Sequence, residues 1–63
     1  MKRSAFVKYL RNQGCTIARE GGKHSIFKNN KNGKTTSVPR HSELFDNTCK
    51  EICKQLGITL ITK

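Results

Sequence analysis

Residues Gly21–Asn29 read GGKHSIFKN, and how this stretch is parsed decides the fold. In an extended chain, alternation sends Ser25, Phe27 and Asn29 to one face and His24, Ile26 and Lys28 to the other. Phe27 is the bulkiest of the six, so its face is the one that needs cover. His24 and Lys28 then stand on a face left to solvent. The glycine pair before the stretch is a turn signal. After it comes NKNG, in which Asn32-Gly33 tolerates the positive φ of a tight hairpin. HSIFKN is therefore a strand with a turn at each end, the middle of a meander.

Working outward, CTIARE (15–20) alternates in part and is rich enough in β-branched residues for the preceding strand. KTTSVP (34–39) reads as the following one, closed by Pro39, which cannot donate to a ladder. Beyond the strands lie two helical patterns. In KRSAFVKYLRNQG, Phe6, Val7 and Leu10 share one side and Lys8 and Arg11 the other. Ser4 is a candidate N-cap and Gly14 a natural stop. After the connector RHSELFD, Thr48-x-x-Glu51 has capping-box spacing, with Asn47 as a competing cap. Cys49, Ile52, Cys53 and Leu56 recur at intervals of three and four, which makes a buried stripe, and Gly57 ends it. ITLITK (58–63) is an edge strand or a partner-binding tail. The expected fold class is α+β in the order α-β-β-β-α. Both helices cover one face of a three-stranded antiparallel sheet, because two apolar stripes need one sheet face between them. Residues 1–63 form one domain, with no visible repeat or linker. The same order resembles the double-stranded-RNA-binding domain.

Sixty-three residues bury only about 60% of their unfolded surface, so the stability margin is small. Three Phe, one Tyr and no Trp leave little material for the walls of a deep pocket. A site here is expected to be shallow, suited to a polymer lying across a surface. Thirteen Lys and Arg against four Asp and Glu give a net charge of +9. Such a field opposes compaction and draws in polyanions. Nucleic acid is the leading partner class, and an acidic protein a second that is compatible with it. The three cysteines are odd in number and contain no Cys-x-x-Cys pair, which points to a reducing compartment. No apolar run approaches a membrane span or a signal-peptide core, so the chain is expected in the cytoplasm, away from membranes.

His24 carries the sharpest chemical question. On its spacing alone it is either a solvated strand residue or a group for proton transfer. RNA brings its own nucleophile, the 2′-hydroxyl. A side chain titrating near neutrality can take that proton or protonate the leaving 5′-oxygen. Cations beside it, from Lys23, Lys28 or Arg19, would stabilise the charge growing on phosphorus, and no metal or other cofactor is needed. His41, after Pro39-Arg40, is either a second proton carrier or a loop residue, since nothing in the sequence fixes it beside His24. Cys49 and Cys53, one helical turn apart, lie on the apolar stripe and read as small core residues in preference to zinc ligands.

One resemblance spans the chain from Phe6 to about Gly57. Gly14, Arg19, Gly22-Lys23-His24, Phe27, Val38-Pro39-Arg40-His41, Leu44, Thr48, Ile52 and Leu56-Gly57 follow one another as in the HicA-type toxins, the YcfA-like bacterial mRNA interferases. Each piece is weak alone; order and spacing together are fairly specific. The resemblance implies a double-stranded-RNA-binding-like fold, metal-independent cleavage of single-stranded mRNA, growth arrest, and a HicB-type antitoxin with which the toxin forms an oligomer. It implies that His24 is the catalytic histidine, with Lys23, Lys28, Arg19, Arg40 and His41 as candidates for binding the RNA phosphates. Two positions depart from the family pattern, and the tail after Gly57 is longer than the minimal family chain, available to a partner interface or oligomer. Cys15 replaces an aromatic residue, which reduces the core. Lys23 replaces the serine before the histidine, where a cation would either oppose protonation of the histidine by like-charge repulsion or hold a phosphate.

Overall fold

A computed structural model describes residues 1–60 of the chain. Helix α1 (Arg3–Asn12) leads into strands β1 (Cys15–Glu20), β2 (His24–Asn29) and β3 (Thr35–Pro39), and helix α2 (Asp46–Leu56) follows. The sheet runs in the order β1-β2-β3, with both pairings antiparallel and β2 in the centre. This is the α+β meander expected from the sequence.

The alternation in β2 holds residue by residue. Ser25, Phe27 and Asn29 are buried; His24 and Lys28 are exposed, and Ile26 is half-buried between them. Phe27 meets Phe6 and Leu10 of α1, Cys15 of β1, Val38 of β3, and Cys49, Ile52, Cys53 and Leu56 of α2 in a single core cluster. Both helices therefore cover the same side of the sheet. Leu44 from the connector joins the cluster, and Val7, Tyr9, Ile58 and Leu60 pack at its margin. The three thiols sit in the core and are free. Burial pushes all of them up, Cys53 to about 11, with its neighbours Cys49 and Cys15 adding to the effect.

The element ends differ from the sequence expectation. Helix α1 begins at Arg3 with Lys2 in the capping position, so Ser4 is already inside it. Helix α2 begins at Asp46, two residues before Thr48. Its capping position holds Phe45, which makes no side-chain cap bond. Asp46 in the first turn suits the positive end of the helix dipole. The β2–β3 connection is a longer loop, 30–34, in place of a tight hairpin. Gly33 takes positive φ (76°), whereas Asn32 acts through its side chain, accepting from the Lys34 amide at 2.8 Å.

That loop also finishes α2. The amide groups of Asn29 and Asn32 both donate to the Leu56 carbonyl, at 2.8 and 3.1 Å. Gly57 turns the chain left-handed (φ 75°), and the Ile58 amide reaches back to the Cys53 carbonyl at 2.9 Å, a Schellman ending. A Cβ at Gly57 would lie 2.7 Å from Asn32 Nδ2 and push that side chain off the Leu56 carbonyl, while the left-handed φ is what requires glycine. Ile58–Leu60 form no strand. The rest of the expected tail, 61–63, lies outside the described residues.

Candidate active site

His24 is the first residue of the central strand, on the face the helices leave uncovered. It pairs with Pro39 of β3. Its backbone is held from the turn side as well, where the Gly21 amide donates to the His24 carbonyl at 2.8 Å. The approach is close enough that a Cβ on Gly21 would lie 2.9 Å from that oxygen. The glycine pair is thus more than a turn signal: its first member sets the height of His24 above the turn.

A second support comes from α1. Arg3 is half-buried, and its guanidinium donates through Nε to the Pro39 carbonyl at 2.9 Å and through Nη2 to Ser25 Oγ at 3.1 Å. Ser25 follows His24, and Pro39 pairs with it across the ladder. One side chain therefore ties β2 to β3 at the end where His24 stands. The Arg3 amide also donates to the Ser42 carbonyl at 2.9 Å, which anchors the connector after His41. Sequence reading missed Arg3. Its partners lie 22 and 36 positions away, and no local pattern announces them.

Lys23, His24, Arg40 and His41 line one shallow depression of about 270 Å3. The fold thus brings His41 to His24, which spacing alone could not decide. All four are exposed. Arg40 is not an independent cation, because it is paired with Glu20 at 3.0 Å across the end of the sheet. The pair is solvent-exposed and adds little stability. It does aim a guanidinium with spare donors at the depression.

Arg19 joins this face through an irregularity in β1. Ile17 pairs with Phe27 and Arg19 with Ile26, so Ala18 is an extra residue in the strand. An unbroken alternation from Cys15 would turn Arg19 toward the helices; the bulge returns it to the face of Ile26 and His24. Arg19 is the diagonal neighbour of His24, about 7–8 Å away between backbones. Lys28 is on the same face but four residues along the strand, about 13 Å from His24. It can serve a neighbouring phosphate, not the one at His24.

Among the described residues no group of three or more His, Cys, Asp and Glu side chains is arranged to hold a metal ion, and no helix is long and apolar enough to cross a membrane. The core thiols, held protonated, are neither ligands nor nucleophiles as they stand.

A small, strongly basic α+β domain with two histidines among cations at the end of an uncovered sheet face is equipped to hold a polyanion and to move a proton upon it. Comparison with known proteins narrows the class. The family described as the HicA toxin of bacterial toxin–antitoxin matches residues 3–58. A protein of Pseudomonas fluorescens (strain Pf0-1) named probable mRNA interferase HicA is 42% identical over 60 residues, spanning 92% of this chain and 97% of that one. No solved structure matches. The chain belongs to the HicA toxin family.

Proposed function

We propose that the chain is an endoribonuclease acting on single-stranded mRNA, with His24 as its general acid–base. The observation that carries this is the depression in which an exposed His24 meets Lys23, Arg40 and His41. A phosphodiester held there has its 2′-hydroxyl beside a proton acceptor. The 2′-oxygen attacks phosphorus and gives up its proton; the bond to the 5′-oxygen breaks, and that oxygen receives a proton. His24 handles one or both transfers, and His41 is the second carrier available in the same depression. Lys23, Arg40 and Arg19 stabilise the charge on the non-bridging oxygens. Lys28 holds the next phosphate. A flat, exposed site suits a single strand, whose backbone can lie along β2.

Family membership and the name of the Pseudomonas relative, a probable mRNA interferase, support the same reading. So does the net charge of +9, which calls for a silencing partner as much as for a substrate. That partner is an antitoxin of the HicB type, bound in the cytoplasm over the sheet face. One event would then occlude His24 and neutralise its surroundings.

The test is His24→Ala assayed on a long mRNA in EDTA. Cleavage should fall by roughly 10²–10⁴-fold while RNA affinity and melting temperature stay close to wild type. Full activity in the variant removes His24 from the chemistry, and activity that needs a divalent ion removes the metal-free mechanism. If the wild-type chain binds RNA and never cuts it, the face is a binding module only.

A further inference from the structure

Phe45 is the anomaly of the molecule. It occupies the capping position of α2, where Ser, Thr, Asp and Asn are favoured because their side chains bond the first-turn amides. Phe45 cannot do so, and neither does it pack: it is 84% exposed. A lone apolar residue on a surface needs no explanation by itself. This one serves neither the helix nor the core, and a residue that breaks a local rule without structural return is where function is to be sought.

Its position supplies the function. Phe45 stands as a ridge between two depressions, one of about 420 Å3 bounded by Pro39, His41, Leu44 and Thr48, the other of about 310 Å3 bounded by Leu44 and Asp46. Glu43 borders both. The larger depression shares His41 with the one that holds His24. A strand whose phosphate sits at His24 therefore has its neighbouring nucleotide over this groove. Glu43 and Asp46 put two of the chain's four acidic residues on the rim, with the Met1 ammonium 3.7 Å from one Glu43 oxygen, so that the rim keeps a net negative charge and Glu43 a second oxygen to accept with. An acidic rim repels a phosphate, and it repels an acidic protein too. It suits a neutral base, whose ring is apolar and whose edge carries N–H donors.

We propose that Phe45 is the stacking platform for an unpaired base of the RNA, adjacent to the phosphate at His24, with Glu43 accepting from an amino group on the base edge. The proposal rests on the ribonuclease reading above and adds to it a subsite that selects which bond is cut. Aromatic side chains bind single strands in this way, since every base has a face to stack. The carboxylate adds preference for a base with an exposed amino edge.

The experiment uses the His24→Ala chain as parent, so that RNA stays intact, and a short single-stranded oligoribonucleotide carrying 2-aminopurine. Phe45→Ser should weaken binding by about 5- to 150-fold and abolish the quenching that stacking causes, whereas Phe45→Trp should preserve both. Serine is a good cap, so Phe45→Ser should melt higher than its parent, and lost binding cannot then be ascribed to unfolding. In the His24-intact chain, Phe45→Ser should raise KM and Glu43→Gln should change the distribution of cleavage sites. Equal binding and equal quenching in parent and Phe45→Ser overturn the platform and leave the ribonuclease reading standing. Unchanged RNA binding with weakened antitoxin binding overturns it too and makes the groove a protein dock. A parent that binds no RNA overturns both readings.

Discussion

The guanidinium of Arg3 touches the chain on both sides of His24: Ser25 next to it in the strand, and Pro39 across the ladder. Ser25 is only 1% exposed beneath the Arg3 side chain, so removing Arg3 takes away both its partner and its cover. Leaving a buried group without its partner costs about 1–3 kcal/mol. Arg3→Ala should therefore lower the urea midpoint at an unchanged m-value, and cleavage should suffer beyond what the unfolded fraction explains. Arg3→Lys should recover little of either, because one ammonium nitrogen does not reproduce the planar spread by which Nε and Nη2 reach two separate acceptors. The sequence shows a candidate catalyst more readily than its supports. His24 could be singled out because alternation from Phe27 exposes it and because imidazole is the commonest proton-transfer group. Arg3, by contrast, looks like one more cation among thirteen, and Gly21 like any turn glycine.

Among the elements, the stripes were legible and the boundaries were not. Phe6 with Leu10, and Cys49, Ile52, Cys53 with Leu56, recur at helical spacing because each must face the one side of the sheet, and burial follows that pattern. The start of α2 was misread because capping statistics favour Asn47 or Thr48, whereas the chain begins the helix behind an aromatic residue. Its end was half legible. Gly57 announces a left-handed stop, but nothing local shows that Asn29 and Asn32 supply donors for the last carbonyl. Asn29 is 3% exposed, and Leu56 keeps Asn32 as a second donor. Asn29 Oδ1 also accepts from the part-buried Lys31 amide at 3.0 Å, which can turn to water, so Asn29→Ala should cost about 1 kcal/mol or somewhat more. In a domain of this size that is roughly 4–8 °C in melting temperature, readable by thermal circular dichroism. Asn29→Ala combined with Asn32→Ala should cost more than the two single changes added together, since only the double variant orphans the Leu56 carbonyl.

At the scale of the whole molecule, charge and the thin core act together. RNA binding should weaken with salt at a log–log slope of about −0.7 per phosphate neutralised, or roughly −2 to −3.5 for three to five contacts. Lys28→Ala should reduce the slope by one contact, and a salt-independent affinity would contradict a phosphate-tracking face. The core thiols add a pH limit. Folding keeps their protons on above the ordinary thiol value of 9.0, Cys53 to about 11. The folded state then binds more protons than the unfolded one in that window. The stability they contribute is complete below pH 9 and is lost as pH rises toward 11. The urea midpoint should decline across this range, and less steeply in Cys53→Ala, where lysine titration is the same in both chains. Cys15, Cys49 and Cys53 fill three core positions with little apolar area in a core already small, so these losses fall on a narrow margin. Composition made the charge and the small core legible. It could not show that Arg40 spends part of its charge on Glu20, a pairing that exists only once the strand ends are brought together.

The extra residue in β1 has a consequence for how this chain can drift in length. Ala18 faces no partner in the register, while Ile17 and Arg19 pair with consecutive residues of β2. Its loss would heal the strand into plain alternation and keep Arg19 on the face of Ile26 and His24. Loss of Thr16, with the bulge retained, would turn the beginning of the strand inside out and carry Cys15 from the core to solvent. Length variation among descendants of this sequence should therefore be tolerated at the bulge and purged one or two residues away from it. Ala18 acts as a spacer, an exposed residue whose place in the strand matters for its backbone more than for its single methyl group.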